Sequence, residues 1–194
     1  MDWKELEKAC CGCTACPLGK TRKNTVFGRG NRSARVLFVG EAPGETEDET
    51  GLPFVGAAGQ LLDRYFEAVG ISQDEIYIAN ILKCRPPRNR DPLPEEQQAC
   101  LGYLRGQVRL INPGLIVCLG RISAQALIRP DFSVTREHGT FVRKGRFLMT
   151  AVYHPSALLR DPSKREETYA DLKIVREYLV SSAEGTPPDT DVRP

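Results

Sequence analysis

The segment Ala34-Arg35-Val36-Leu37-Phe38-Val39-Gly40, running on into the loop GEAPG (40–44), decides the fold. It is an almost unbroken apolar run that stops at a glycine and enters a Gly/Pro-rich stretch, the pattern of a strand covered on both faces. Two more runs of this kind follow, IYIANIL (76–82) and GLIVCLG (114–120). Between them lie stretches of helical period. AAGQLLDRYFEAVG places Leu61, Leu62, Tyr65, Phe66 and Val69 on one face and stops at Gly70, and PEEQQACLGYLRGQVRLI (94–111) carries a proline at its start. WKELEKAC and RISAQALI read as short helices, HPSALLR as a loop or short helix, and REETYADLKIVREYLVSS as the closing amphipathic helix. Residues 138–153 read as a hairpin that turns at Lys144-Gly145 and supplies an inner strand. Strands alternating with helices predict a three-layer α/β/α sandwich around a central, mostly parallel four-stranded sheet. The stretch GEAPGETEDETGLPFVG (40–56) has no apolar periodicity and is expected to be loop throughout. In such sheets ligands bind beyond the carboxyl ends of the strands, and GEAPG, Asn80 and His154 each fall at one.

With 194 residues, 41% of them hydrophobic, the chain suits one domain, expected over residues 1–180. Residues 181–194, ending in EGTPPDTDVRP, are expected to be a disordered tail because they offer little to bury. There is no apolar run long enough to span a membrane, and the start MDWKELEKACCGC lacks the basic-then-apolar order of a signal peptide, so a cytoplasmic monomer is expected. A net charge of +2 does not by itself mark a nucleic-acid binder. Its distribution says more: KCRPPRNR (83–90) and LLRDPSKR (158–165) concentrate basic residues in two loops that flank polar motifs.

Four of the seven cysteines form two distant pairs, Cys13 with Cys16 and Cys84 with Cys100. Four thiolates drawn from two places suit an iron–sulfur cluster or zinc, and a reducing cytosol argues against a disulfide framework. Cys10, Cys13 and Cys16 also form a local C-x2-C-x2-C run with Cys11 beside it, so spacing alone leaves the ligand set open. Cys118 lies in an apolar strand and reads as core.

At the strand ends the residues carry complementary chemistry. The Asn80 amide offers a donor and an acceptor to the edge of a nucleobase, and Phe54 offers a face for stacking. His154 can donate to an oxygen where negative charge develops, and Glu41 can orient a water or face a cation. Together these suggest removal of a base from its sugar. Taken singly, Phe54 after a proline reads as core, Asn80 as a turn former and His154 as a loop cap. His138, Trp3, Tyr65 and Tyr153 read as packing.

The ordered set C-x2-C, GEAPGETEDETGLPFVGAAGQLL, NILKCRPPRNRDPLPEE, Cys100 and HPSALLR resembles the family-four uracil-DNA glycosylases, the iron–sulfur type, from Cys13 to about Arg160. The resemblance implies a [4Fe–4S] cluster on Cys13, Cys16, Cys84 and Cys100, with Cys10 and Cys11 in spare or accessory roles. It implies uracil-containing DNA as partner, uracil stacked on Phe54 and read by Asn80, and catalysis by His154 and Glu41. Glu47 is a further candidate, either blocking the 5-methyl of thymine or taking part in catalysis. Backbone N–H groups of the 40–44 loop, Ala42 in particular, would hold base or phosphate. Asn89 stands where a related crosslinking branch carries a histidine, and asparagine cannot serve as that nucleophile. Arg85, Arg88 and Arg160 would meet phosphate, and Leu158 and Leu159 would wedge into the gap left by a flipped base. No lysine is placed as a Schiff-base nucleophile, so a monofunctional enzyme is expected. The rivals are a non-catalytic iron–sulfur DNA-binding protein and a glycosylase for another deaminated base.

Overall fold

The computed structural model describes residues 1–183. Six strands form one sheet: β1 (Arg29–Gly30), β2 (Val36–Gly40), β3 (Ile76–Asn80), β4 (Leu115–Leu119), β5 (Val142–Lys144) and β6 (Phe147–Val152). Their order is β1-β3-β2-β4-β6-β5. The inner four are mutually parallel, while β1 and β5 add antiparallel edges. The expected four-stranded parallel core is therefore present, widened by two short edge strands. The hairpin β5–β6 falls where the sequence places it. The pair Arg29-Gly30 carries no alternation to reveal a strand.

Every residue of β2, β3 and β4 is buried, because helices cover both faces. The helices are α1 (Trp3–Cys11), α2 (Glu45–Thr50), α3 (Ala57–Val69), α4 (Pro94–Ile111), α5 (Arg121–Leu127), α6 (Val134–Glu137), α7 (Pro155–Arg160) and α8 (Arg165–Ala183). The pleat sends alternate residues to opposite layers. Val36 and Phe38 pack with Leu62 and Phe66 of α3 and Leu172, Val175 and Leu179 of α8. Leu37 and Val39 pack with Leu104 and Ile111 of α4 and Ala124 of α5. Each such buried Leu, Val or Phe contributes ~1.5–3 kcal/mol relative to exposure. The result is the three-layer sandwich.

Neighbouring strands β2 and β4 are followed by helices on opposite faces, α3 and α5. Their connections diverge and open a crevice beyond the carboxyl edge of the sheet. The 40–56 stretch that lines it is not loop throughout. ETEDET forms α2, which Gly51 ends in the left-handed conformation at φ 76°. With no apolar stripe, this helix is set by local hydrogen bonds rather than by periodicity. The tail expected from residue 181 begins inside α8, which runs to Ala183, and residues 184–194 lie outside the described residues. No helix among the described residues is long and apolar enough to cross a membrane.

Candidate active site and cysteine pocket

A cleft of roughly 650 Å³ opens at the crevice and gathers Glu41, Ala42, Glu47, Phe54, Asn80, Asn89, His154 and Arg160 from four separate connections. Register does much of the positioning. Gly40 pairs with Asn80 across β2 and β3, and the ladder continues past the sheet through Ile81 N donating to Gly40 O at 3.0 Å and Leu82 N to Glu41 O at 3.0 Å. A Cβ on Gly40 would overlap both Asn80 Oδ1 and the Phe54 ring, so glycine allows those two groups to converge.

Phe54 holds a left-handed φ of 54°, a conformation costing about 1–3 kcal/mol for a non-glycine residue. Its carbonyl lies against Gly59, where a Cβ would overlap it, so the first turn of α3 seats the loop. The ring lies 5.9 Å from the His154 ring, tilted by 39°. Asn80 is 2% exposed, and its Oδ1 has no hydrogen-bond partner among the described residues. A buried carbonyl oxygen left unpaired costs roughly 1–3 kcal/mol, and this one belongs to a residue that lines the cleft.

His154 caps α7. Its Nδ1 accepts from Ser156 N at 3.1 Å and lies 2.7 Å from Ser156 Oγ. Burial, with Arg160 adding repulsion, pushes the ring's pKa down to about 4 against a small opposing pull from Glu47. The neutral ring whose Nδ1 accepts must carry its proton on Nε2. His154 is thus a neutral donor at physiological pH. Gly120, at φ 89°, leaves room for it, since a Cβ there would stand 2.7 Å from His154 Cβ.

Burial raises the Glu41 pKa to about 7, with Asp91 adding to the rise and Arg121 opposing it. Asp91 and Arg121 form an exposed ion pair at 2.6 Å on the cleft wall. Glu47 is committed to the backbone. Its Oε1 accepts from Val55 N at 2.9 Å and Gly56 N at 2.8 Å, and its Oε2 from Gly44 N at 3.1 Å. It ties the loop before α2 to the loop holding Phe54, with both carboxylate oxygens engaged by backbone N–H groups.

Several expected DNA contacts separate by geometry. Arg85 Nε donates to Asn89 Oδ1 at 2.8 Å and its Nη1 to Glu45 Oε1 at 3.1 Å, which shapes the basic loop. Arg90 forms a fork with Glu96 at 2.6 and 2.8 Å. Arg88 and Arg160 are exposed. Leu158 is corrected: it is 1% exposed and packed in the core, because one helical step of α7 points it away from Leu159, which is 45% exposed. Tyr153, expected as packing alone, also lines the cleft, beside Lys164, whose Nζ lies 4.8 Å from its ring centre. His138 does have partners: Nδ1 pairs with Asp171 Oδ2 at 2.8 Å and Nε2 lies 3.4 Å from Glu167.

A second pocket is lined by Cys13, Cys16, Cys84 and Cys100 together with Cys10, Arg22, Lys83 and Tyr103. Cys11 is exposed, and Cys118 is buried in β4. The thiols receive N–H donors: Arg22 Nη1 to Cys84 Sγ at 3.3 Å, Lys83 N to Cys100 Sγ at 3.2 Å and Ala15 N to Cys13 Sγ at 3.5 Å. Arg22 also donates to Cys13 O at 2.8 Å and Cys11 O at 3.0 Å, folding the hook around the pocket. Burial pushes the Cys100 thiol up to about 11 and raises Cys84 as well. Clustered thiols, three of them receiving N–H donors and two of them, Cys84 and Cys100, buried, suit a soft cationic group that stabilises thiolates. Among the described residues no three His, Cys, Asp or Glu side chains converge as around a single ion.

The sequence offered no signal for Arg22, Lys83 or Arg121, whose roles depend on partners far along the chain. Comparison with known proteins agrees with the geometry. The model described as "Uracil DNA glycosylase superfamily" matches residues 27–178. The chain belongs to that superfamily. It is similar to the type-4 uracil-DNA glycosylase of Archaeoglobus fulgidus, 45% identical over 173 residues that make up 85% of this chain and 87% of that protein. The type-4 uracil-DNA glycosylase of Thermotoga maritima is 46% identical over 171 residues, 86% of this chain and 89% of that protein. That of Pyrobaculum aerophilum is 44% identical over 182 residues, 90% and 93% respectively.

Proposed function

We propose that this superfamily member is a monofunctional uracil-DNA glycosylase, acting as one domain, which flips uracil out of DNA and hydrolyses its N-glycosidic bond. The observation that carries this reading is the vacant, buried Asn80 Oδ1 in a cleft shared with Phe54 and His154. Uracil presents an N3–H donor beside an O4 acceptor, which Oδ1 and Nδ2 of one amide match as a pair. Cytosine presents the reverse, and a fixed amide rejects it by leaving polar groups unpaired.

The bond breaks with positive charge gathering on the sugar and negative charge on the departing base. His154 Nε2–H donates to O2 of that anion without having to be protonated first. Phe54 stacks on the ring, and the Ala42 N–H holds the base or its phosphate. The Glu41 carboxylate orients the attacking water and faces the sugar cation. Glu47 keeps the Phe54 loop and the 40–44 loop in register. Arg88 and Arg160 meet phosphate, Leu159 fills the vacated stack, and Asn89, bonded to Arg85, keeps the basic loop in shape. Asn89 offers no nucleophile, so the enzyme turns over freely. Release of base from oligonucleotides carrying uracil, cytosine, thymine or hypoxanthine tests the assignment: uracil alone is expected to be released. Hypoxanthine release in preference to uracil would reassign the lesion.

The Glu41 role sets a pH dependence. Only the carboxylate is active, and its pKa is about 7. The value of kcat/KM should therefore fall about tenfold per unit below pH 7 and level off above it. Glu41→Gln, slower throughout, should lose that slope. A wild-type profile flat from pH 5.5 to 8 would remove Glu41 from the water-activating role.

Cys13, Cys16, Cys84 and Cys100, which line one pocket, would hold the [4Fe–4S] cluster that the similarity to type-4 uracil-DNA glycosylases implies. When bound, the cluster supplies a rigid tie between the N-terminal hook and the basic loop that follows β3. Cys84→Ala should yield protein without iron or visible absorption, whereas Cys10→Ala should retain both. The opposite pattern would move the ligand set onto the local C-x2-C-x2-C run.

A further inference from the structure

Lys83 is 1% exposed, and its ammonium makes no ion pair with a carboxylate among the described residues. All three of its protons go to neutral oxygens: Asn80 O at 2.9 Å, Phe27 O at 3.2 Å and Gln107 Oε1 at 2.7 Å. Gln107 Nε2 in turn donates to Phe27 O at 2.8 Å, which fixes the set. A buried charge with only neutral partners is expensive, and a methionine would fill the same space more cheaply. Position suggests what the charge achieves.

Asn80 ends β3, and the peptide joining it to Ile81 is held from both sides. Ile81 N donates to Gly40 O at 3.0 Å, and Asn80 O accepts from Lys83 Nζ at 2.9 Å. Holding both ends of that peptide restrains the Asn80 backbone from which the side-chain amide projects. From its other side, Lys83 belongs to the cysteine pocket, where its backbone N–H donates to Cys100 Sγ at 3.2 Å and its neighbour is Cys84. One residue therefore joins the wall of that pocket to the residue with the vacant acceptor.

We propose that Lys83 is a positioning residue for base recognition: its buried ammonium clamps the Asn80–Ile81 peptide and holds the Asn80 amide in the orientation that reads uracil. This rests on the assignment of Asn80 as the uracil reader. It also explains why the basic residue lies inside the molecule rather than on the DNA-facing loop it precedes. When the cysteines bind their cluster as thiolates, the charge also has a counter-charge within the same wall.

A double-mutant cycle on single-turnover uracil release tests the proposal. Lys83→Met keeps the length of the apolar stem and removes all three donors. In protein that retains its iron, sulfide and visible spectrum, it should slow uracil release about tenfold with DNA affinity unchanged, because an amide free to turn spends most of its time misaligned. In an Asn80→Ala background the same change should cost less than twofold, since residues acting through one another are non-additive. A lysine that merely braces the core would slow both backgrounds equally, and additive effects would overturn the proposal. Lys83→Gln, which restores a single donor, serves if the methionine variant does not fold. If neither variant folds with its cluster, Lys83 is a folding element and the positioning role falls. Wild-type protein that releases no uracil would instead remove the underlying reading, an outcome the wild-type reaction reports by itself.

Discussion

Asn80→Ala is expected to abolish nearly all selective uracil release, slowing the single-turnover reaction by about several hundredfold while affinity for undamaged DNA stays within about twofold. The magnitude follows from the environment of the amide. Asn80 is 2% exposed, and its Oδ1 has no partner among the described residues. Uracil would make two hydrogen bonds there away from water, and each is worth about 1.5–2 kcal/mol, so their joint loss approaches a thousandfold in rate. Alanine also removes the basis for rejecting cytosine, so the ratio of uracil to cytosine release should fall with the rate. The proposed phosphate contacts lie elsewhere, on the exposed Arg88 and Arg160, which is why non-specific binding should survive. Quench-flow or slow manual sampling under enzyme excess measures the first quantity and a mobility shift the second. A variant within fivefold of wild type would remove Asn80 from base recognition.

His154→Ala should lower the same rate about hundredfold, equivalent to ~3 kcal/mol, again with DNA affinity preserved. Its ring is held as the Nε2–H tautomer by Ser156 N, and burial keeps it neutral, with a pKa of about 4. The donor is present unchanged across the whole neutral range. The lost rate should therefore be the same at pH 6.5 and pH 8, whereas an imidazolium acting as a general acid would give a defect that shrinks with rising pH. His154→Gln, which keeps an N–H, should recover part of the rate if its amide reaches the same oxygen. A pH-dependent defect would replace neutral electrostatic stabilisation by proton donation.

Much of this architecture is legible in the sequence. The four parallel strands are continuous apolar runs bounded by glycine or by turn residues, and burial on both faces demands such runs. The α4 boundaries, Pro94 to Ile111, coincide with the expected ones because a proline opens the helix and its periodic face ends at the close. The short helix α2 was hidden, since ETEDET has no apolar stripe and depends on Glu47 bonding back to Gly44 and forward to Val55 and Gly56. Leu158 and Leu159 look alike in sequence, and only the helical step of α7 separates them.

The basic segment KCRPPRNR shows most plainly what composition leaves out. As a string it is a cationic loop facing phosphate. Folded, Lys83 is buried, Arg85 and Arg90 are tied to Glu45 and Glu96, and Arg88 lies exposed. A charged residue's role depends on whether an acid or a carbonyl reaches it, and those partners come from distant segments. The two cysteine pairs were legible in the sequence, and the fold gathers them in one pocket that Cys10 also lines. Arg22, which ties the hook to Cys84, carried no pattern of its own.

The cleft is proposed to remove uracil from DNA and to leave the strand intact. The most direct measurement incubates cluster-loaded protein with an end-labelled oligonucleotide bearing one uracil, assays free uracil, and compares strand cleavage before and after alkali. Free uracil in equal amount to alkali-dependent breaks, with no breaks before alkali, is the predicted result. Cluster-loaded protein that binds the oligonucleotide but releases no base would contradict it and leave a DNA-binding module in its place.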